Sequence, residues 1–460
     1  MKKIQLSDHF TIPRLLLFSL PSIGMQIVDS TYQVADGYFI SNYVNETAFG
    51  AENLIYPPLL IVMSIGLMFG SGASALLSSE IGKGRPERAN RLLTATIAGL
   101  SVLSLVLSAG LYFLMPWVTH LVGAKENMVD YCIQYGRVLA VFMPFGMLSM
   151  AFHPLLITAE RPGMGLVVSI ANAAANILLD WLFLSGFGWG IRGAAFATGL
   201  AWTVSAVIPL VFFLKHRGKL HFARPLMDQK AMGQIAYNGA SEMVDAIAYA
   251  IVAVVFNLQL LRYLGEAGVE AYAVGEYVGG FFNAAFYGIS MSIIPVAGFH
   301  LGQGNAKELH NLWRKGILLM VSLGIAITGL CLLFSGNIAR FFVGYNQSLT
   351  NLSVHALKRV CLHLLLLGVT VFAGSYFTGL NQGTASLLIA LTKGIVGPLI
   401  LVWILPLLIG TDGLWWSVPG AELLGVLVSF ACITWWRRSG EKNHLGEKPE
   451  TENSPKPLTQ

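Results

Sequence analysis

The chain has 460 residues, of which 55% are hydrophobic and only 12% are charged, and its mean hydropathy is +0.64. Soluble globular proteins carry roughly 25% charged residues, so this composition excludes an ordinary soluble domain. Apolar runs of about 20 residues, long enough to cross a bilayer as helices, recur along the chain. Barrel strands would instead give alternating segments of about ten residues. The sequence therefore predicts an all-α polytopic membrane protein.

Apolar length, and punctuation by Gly, Pro and charged residues, divide the chain into about twelve predicted transmembrane helices. Their approximate limits are 13–40, 53–80, 91–116, 131–157, 163–186, 191–214, 232–261, 268–298, 312–336, 355–379, 384–409 and 413–436. The polar, Pro-containing segment 437–460 follows the last span and is predicted to be a disordered cytoplasmic tail.

The positive residues indicate the orientation of the chain. If the N-terminus is cytoplasmic, most of the 29 Lys and Arg residues lie on the cytoplasmic side, including those of the basic segment 215–230. Positive residues favour that side. We therefore predict a multi-pass protein of the cell membrane, the plasma or inner membrane, with both termini cytoplasmic. The charge reflects orientation and does not predict a nucleic-acid partner.

Two similar segments indicate an internal repeat. EIGKGRPERANRL (80–92) ends the second predicted span, and HLGQGNAKELHNL (300–312) ends the eighth. Their glycines correspond at an offset of 220 residues. The sequence thus predicts two six-helix bundles related by a pseudo-twofold axis along the membrane normal, an arrangement typical of transporters that rock about a central site. The predicted units are an N-terminal lobe (1–214), a cytoplasmic connector (215–230) and a C-terminal lobe (231–436).

Ionisable residues inside spans are costly, so each is a functional candidate. Asn172, Asn176 and Asp180 are spaced four residues apart and form one stripe on a helix. Asp36 lies near the outer end of the first span, and Thr198 lies about two turns inside the sixth. We therefore predict that Asp36, Asn176, Asp180 and Thr198 converge in the outer half of the N-terminal lobe.

Two carboxylates with amide and hydroxyl oxygens suit a hard cation or a shared proton. The alternative is a structural polar network between packed helices. Adding 220 to the four positions gives Phe256, Val396, Ile400 and Val418, which are all apolar. Since the polar set occurs once, the sequence predicts a single coupling site, for a hard cation or a proton, in the N-terminal lobe.

Four segments carry further information: LPSIGMQIVDSTYQVADGYFIS (20–41), GSGASALLSSEIGKGRPERANRLL (70–93), NILLDWLFLSGFGWGIRGAAFATGLAW (176–202) and PVAGFHLGQGNAKEL (295–309). They resemble the multidrug and toxic compound extrusion (MATE) family, within a wider group that includes lipid and polysaccharide flippases. The resemblance spans about residues 10–436. It implies antiport of bulky, lipophilic, often cationic compounds by alternating access, driven by inward H+ or Na+, without a cofactor. It also implies cation binding in the N-terminal lobe, at the four positions named above.

Aromatic and acidic side chains of the C-terminal lobe suit a lipophilic cation, although any single aromatic there is also explained by helix packing or lipid contact. The predicted substrate contacts are Tyr32, Gln33, Glu242, Asp245, Tyr249, Glu276, Tyr277, Phe282 and Lys393. Because membrane charges tend to pair, Lys393 is interpreted as a neutralising partner of Glu242, Glu276 or Glu422.

Three other functions were weighed. A flippase for a lipid-linked oligosaccharide, or for another amphiphile, would need several Arg or Lys in the cavity for its pyrophosphate, and only Lys393 is mid-membrane. A channel or receptor does not account for the repeat with its single acidic cluster. An enzyme has little support, because no P-loop or metal-ligand spacing is present. We expect a monomer that acts on small molecules within a lipid bilayer.

Overall fold

The computed structural model describes residues 4–215 and 218–439, and long helices account for most of them. Their bounds are α1 Ile12–Tyr43, α2 Glu46–Gly82, α3 Pro86–Leu121, α4 Glu126–Thr158, α5 Pro162–Asp180, α6 Gly190–Lys215, α7 Gln229–Leu264, α8 Glu266–Gly302, α9 Ala306–Val343, α10 Gln347–Val360, α11 His363–Gly379, α12 Gly383–Leu391, α13 Gly397–Ile409 and α14 Asp412–Ser439. Two π-helical turns, Trp181–Gly186 and Thr392–Val396, continue α5 and join α12 to α13.

The helices confirm the predicted polytopic membrane fold. Ten spans are long and apolar enough to cross a membrane among the described residues, or eleven if α10 and α11, which meet at 41°, form one span. Helix α1 is also long, at 32 residues, but Asp29, Gln33 and Asp36 lower its hydropathy. Nine of the predicted spans each fall on one α-helix, whereas 163–186 covers α5 and the first π-helical turn, 355–379 lies across α10 and α11, and 384–409 covers α12, the second π-helical turn and α13. Some helices extend well beyond the predicted limits, such as α9, which is longer by six residues at its start and seven at its end.

The helix ends define two sides of the molecule. We call the side that holds residues 4–11 the N-terminal side, and the other the far side. The N-terminal side also contains the connections 83–85, 159–161, 303–305 and 380–382, whereas the far side contains 44–45, 122–125, 187–189, 344–346 and 410–411.

The two halves of the chain meet through α1 and α2 on one side of the interface and α7 and α8 on the other. On α2 and α7 the close approach requires glycine. A Cβ at Gly72 would collide with the backbone oxygen of Ile235, and one at Gly239 with that of Met68. Both glycines lie in the part of their helix nearer the N-terminal side, so the halves are packed together there.

Residues 4–11 cross the N-terminal side and are bound by both halves. The backbone N–H of Leu6 donates to Glu160 Oε1 at 3.1 Å, and that of Phe10 donates to Glu308 Oε1 at 2.9 Å. Leu6 and Phe10 are buried. This segment, which we call the N-terminal strap, therefore links the α4–α5 connection of one half to α9 of the other.

The predicted connector and tail are each partly helical. Helix α6 extends to Lys215 and α7 begins at Gln229, while Leu226 N–H donates to the Arg91 carbonyl at 3.2 Å and so holds the connector on α3. Helix α14 continues to Ser439, so the prediction of disorder is wrong for 437–439. Basic residues there favour the helix C-terminus. Residues 440–460 lie outside the described part of the chain.

Candidate functional site

Three helices bring the four predicted coupling residues together. Asp36 comes from α1, Asn176 and Asp180 from α5, and Thr198 from α6. The Asn176 amide donates to Thr198 Oγ1 at 3.3 Å, and the Thr198 hydroxyl donates to Asp36 Oδ2 at 3.4 Å. The Asp36 carboxyl also faces that of Asp180. All four are buried, and Asp180 is 0% exposed.

A third carboxylate, absent from the sequence prediction, completes this cluster. Glu52 of α2 faces Asp36 and interacts with it. The second span was predicted to begin at residue 53, which left Glu52 in a loop, but α2 begins at Glu46. Only the extension of α2 by almost two turns beyond its apolar run brings this carboxylate into the site. We call Asp36, Glu52 and Asp180 the acidic cluster.

A cavity of about 100 Å³ borders the acidic cluster. Two of its side chains, Tyr32 and Gln33, were predicted to contact substrate, and the Gln33 amide donates to Tyr56 Oη at 3.4 Å. The cavity is lined by Tyr32, Gln33, Asp36, Glu52, Asn53, Tyr56, Tyr135, Leu139, Thr198 and Trp202. Its outline is therefore aromatic, and its polar groups are mainly hydrogen-bond acceptors and hydroxyls.

The acidic cluster has more acceptors than donors. Among the described residues, no donor reaches either carboxylate oxygen of Asp180, Oδ1 of Asp36 or Oε2 of Glu52, although all four atoms are buried. Buried carboxylates without donors or cations are unfavourable. No group of His, Cys, Asp and Glu in the described residues has the geometry of a metal site. The arrangement can lower its free energy by taking up a proton or a monovalent cation between its oxygens.

A π-helical turn begins directly after Asp180. Residues Trp181–Gly186 continue α5 with i→i+5 bonds, a geometry that often occurs at functional sites. The corresponding span of the second half contains the other π-helical turn, and Lys393 lies on it. Each half thus places a charged residue at a π-helical turn of its fifth span, a feature with no clear signal in sequence.

At the positions in the second half that the repeat pairs with Asp36 and Glu52, the residues are Phe256 and Tyr272. Their rings lie 4.5 Å apart between centroids, and Phe256 is 1% exposed. An apolar ring contact therefore occupies the place where the first half has two facing carboxylates.

The second half has its own charged cluster, nearer the middle of its helices. Lys393 Nζ lies 3.3 Å from both carboxylate oxygens of Asp245 on α7. The Thr370 hydroxyl donates to Glu422 at 2.7 Å, and Glu242 interacts with both Asp245 and Lys393. Lys393 therefore pairs with Asp245 and not with one of the three glutamates named from the sequence. We call Glu242, Asp245, Lys393 and Glu422 the mixed cluster.

The other predicted substrate contacts lie apart from one another. Glu276 faces Tyr272, with Tyr249 nearby. Tyr277 stacks on Phe342 of α9 at 5.7 Å, and Phe282 packs against the apolar core of the second half. The structure thus brings Glu242, Asp245 and Lys393 together, but gives Tyr277 and Phe282 packing contacts within the C-terminal half.

Two helical halves, joined through four helices and carrying buried charges within long apolar helices, define a multi-pass membrane transporter. The chain belongs to the multidrug and toxic compound extrusion family, because the family model described as MatE matches residues 21–182 and again 243–403. The two matched segments fall one in each half. The chain is accordingly a transporter and not an enzyme.

Relatives and solved structures agree with this assignment. The multidrug export protein MepA of Staphylococcus saprophyticus is 21% identical over 90% of this chain and 92% of its own length. MepA of Staphylococcus aureus is 23% identical over 90% and 92%. The crystal structure of MATE in complex with MaL6 superimposes with a TM-score of 0.88 at 19% identity, covering 95% of this chain and all of that one. An outward-facing MATE family transporter also gives 0.88 at 19% identity, covering 96% and 99%.

Proposed function

We propose that this protein exports bulky, lipophilic organic cations in exchange for H+ or Na+ moving inward, by alternating access. The acidic cluster is the observation that carries the proposal: three carboxylates face one another in a buried site with unpaired oxygens. Such a group needs a cation, and taking one up or losing it changes the packing energy of α1, α2 and α5 around it. The names of the MepA relatives support multidrug export as the class of activity.

The proposed orientation places the N-terminal side in the cytoplasm and the protein in the cell membrane. It follows from the excess of Lys and Arg on that side. Since α2 and α7 are closely packed at Gly72 and Gly239 there, the conformation described here is closed to the cytoplasm. The acidic cluster lies towards the far side, where external ions would reach it. In this orientation an ion enters from outside and leaves after the halves part at the N-terminal side.

The proposed coupling sequence uses the chain's own residues. With the acidic cluster deprotonated, its charges repel one another in a medium of low dielectric constant. Uptake of a proton or Na+ removes that repulsion and lets α1 move closer to α5 and α6. The Thr198 hydroxyl, which accepts a hydrogen bond from the Asn176 amide, donates to Asp36 and so holds it in place without adding charge. Facing carboxyl groups can share one proton, and this geometry favours H+.

We propose that the substrate binds between the halves, with the mixed cluster as its charged contact. The lipophilic cation is favoured over a lipid-linked pyrophosphate because Lys393, the one lysine of the mixed cluster, is already paired with Asp245. An anionic headgroup would meet three carboxylates. Both halves lie in one chain, so a monomer suffices for alternating access.

Transport by the purified protein in proteoliposomes tests this function, with the pH gradient and the Na+ gradient imposed separately. We expect a methyltriphenylphosphonium probe to be driven against its gradient by one of them, and by the pH gradient if carboxyl groups share a proton. An Asp36→Asn protein serves as the uncoupled control. If accumulation of the probe is the same with and without each gradient, ion-coupled export is refuted.

A further inference from the structure

The mixed cluster contains three carboxylates and one ammonium group, and its members have different partners. Asp245 is paired with Lys393, at 3.3 Å from each oxygen. Glu422 accepts a hydrogen bond from Thr370 at 2.7 Å. Glu242 lies about one turn from Asp245 on α7 and is attracted by Lys393 and repelled by Asp245. Glu242 is therefore the carboxylate least committed to a partner within the protein.

The ion pair has a buried end and a more open end. The Lys393 side chain is 8% exposed, whereas that of Asp245 is 26% exposed. The lysine lies on the π-helical turn Thr392–Val396, close to α14, where Gly425 leaves room for its Cβ and Cα. An incoming cation could thus reach Asp245, but both carboxylate oxygens of that residue already lie 3.3 Å from the ammonium group.

The cluster is crowded by further groups that matter for charge. Tyr287 of α8 lies near Lys393, Asp245 and Glu422. Gly394, next to the lysine, would place a Cβ 3.6 Å from Asp245. The ammonium group is consequently held where it is by packing as well as by charge, and it cannot leave the carboxylates without creating an unpaired buried charge.

We infer that Lys393 is a tethered counter-ion that restricts the substrate to a single positive charge. The inference rests on the proposed export of cations. Lys393 neutralises Asp245 and leaves Glu242 to pair with the positive group of the substrate. A second positive group would reach no other unpaired carboxylate, because Asp245 is paired with Lys393 and Glu422 is 8% exposed and accepts from Thr370. It would also be repelled by the lysine, so dications are rejected by a repulsive element built into the site.

Binding of two matched probes to the purified full-length protein tests this assignment. Methyltriphenylphosphonium carries one charge, and a compound with two triphenylphosphonium groups joined by a decane chain carries two. The dication has the larger hydrophobic area, so hydrophobic contact alone would give it the lower Kd. For the native protein we expect the monocation to bind more tightly, relative to the dication, than this difference in area predicts. Lys393→Met should lower the Kd of the dication relative to the monocation by about tenfold, because it frees Asp245.

Two variants separate charge from packing. Lys393→Arg keeps the charge and should keep the native ratio of the two Kd values. The double variant Asp245→Asn with Lys393→Met removes both members of the pair, and it should also return to the native ratio because only Glu242 is then free. If Lys393→Met alone fails to fold, Asp245→Asn alone keeps the inference testable: it leaves Lys393 without its partner beside Glu242 and should weaken binding of both cations.

Contrary results are equally clear. An unchanged ratio in Lys393→Met would overturn the inference and leave the lysine a structural partner of Asp245. Loss of binding of both cations in the double variant would overturn it as well. Because the readout is binding, it does not depend on ion coupling. If the ratio of the two Kd values changes in the variants as expected, but the native protein exports neither probe, the proposed export is refuted and the counter-ion role is left intact.

Discussion

The acidic cluster and the mixed cluster lie in corresponding helical bundles, yet they solve the problem of buried charge in opposite ways. In the first half, Asp36, Glu52 and Asp180 face one another without a cation of the protein's own. In the second half, Lys393 supplies such a cation to Asp245. A site that lacks its cation must take one from solution, whereas a site that contains it need not. The difference supports the proposal that ions load in the first half.

The ring pair at the repeat-related positions sharpens this contrast. Phe256 and Tyr272 fill the space that Asp36 and Glu52 occupy in the first half, with centroids 4.5 Å apart. A packed ring contact does not change with pH or ion concentration. Under the proposed mechanism this ring contact can keep its arrangement through the cycle while the acidic cluster changes, and substitutions should have very unequal effects in the two places.

The largest effect is expected from Asp36→Asn. It removes the charge at the centre of the acidic cluster while keeping its size and its bond from Thr198, so the bundle should fold. Ion-driven export should fall by about 100-fold or more, because a site that no longer binds the ion cannot shift the equilibrium between the two conformations. The measurement is the initial rate of probe export in proteoliposomes, with the exposed Asp130→Asn as control. A well-expressed variant that exports the probe at the native rate would show that Asp36 is not needed for ion coupling.

Asp180→Asn should come next and should separate coupling from binding. The amide preserves the shape of the π-helical junction but cannot exchange a proton, so ion-driven export should be lost to a similar or slightly smaller extent. The Kd of the monocation should stay within about twofold of the native value, since the mixed cluster is unchanged. Tryptophan fluorescence at varied pH and Na+ follows the conformational response. If that response persists, Asp180 belongs to a packing seam with Asn172 and Asn176.

Glu52→Gln should have an intermediate effect. Glu52 lies at the edge of the acidic cluster and lines the cavity beside it, so we expect export to fall by about tenfold and its dependence on external pH to change shape, because one titrating group of a coupled set is gone. Glu46→Gln, one and a half turns earlier on α2, is the matched control. Native export and a native pH profile in Glu52→Gln would leave the acidic cluster with only two functional carboxylates.

The smallest effect is expected from Phe256→Leu, at the position that corresponds to Asp36. An apolar replacement of similar volume usually costs less than about 1.5 kcal/mol, and it leaves every charged group in place. Export should therefore stay within about twofold of native under either gradient. A loss comparable to that of Asp36→Asn would break the comparison by showing that both halves take part in ion coupling.

Much of this architecture could be predicted from the sequence, because apolar length is a direct physical requirement of a bilayer. All twelve predicted segments are helical, and the stripe of Asn176 and Asp180 meets Asp36 and Thr198 as helical spacing requires. Glu52 was not predicted as a site residue because the hydropathy signal ends at the bilayer core, while α2 continues for almost two further turns to Glu46.

The partner of Lys393 was predicted wrongly for a different reason. Regular helical spacing predicts the direction of a side chain only if the helix is an α-helix throughout, and a π-helical turn rotates the residues after it. Lys393 lies within such a turn, so its choice of Asp245 depended on backbone geometry that composition does not encode. The bend between α10 and α11 was missed as well, since no proline marks it.

The N-terminal strap has a practical consequence for following this transporter. Its two anchors, Glu160 and Glu308, belong to different halves, so separation of the halves at the N-terminal side must release at least one of them. The amide protons of Leu6 and Phe10 then become open to exchange with deuterated water. These two backbone positions precede α1, about seven helical turns before Asp36, and lie outside both charged clusters. They report the motion as a rate of isotope uptake without any change to the residues proposed to bind ion or substrate.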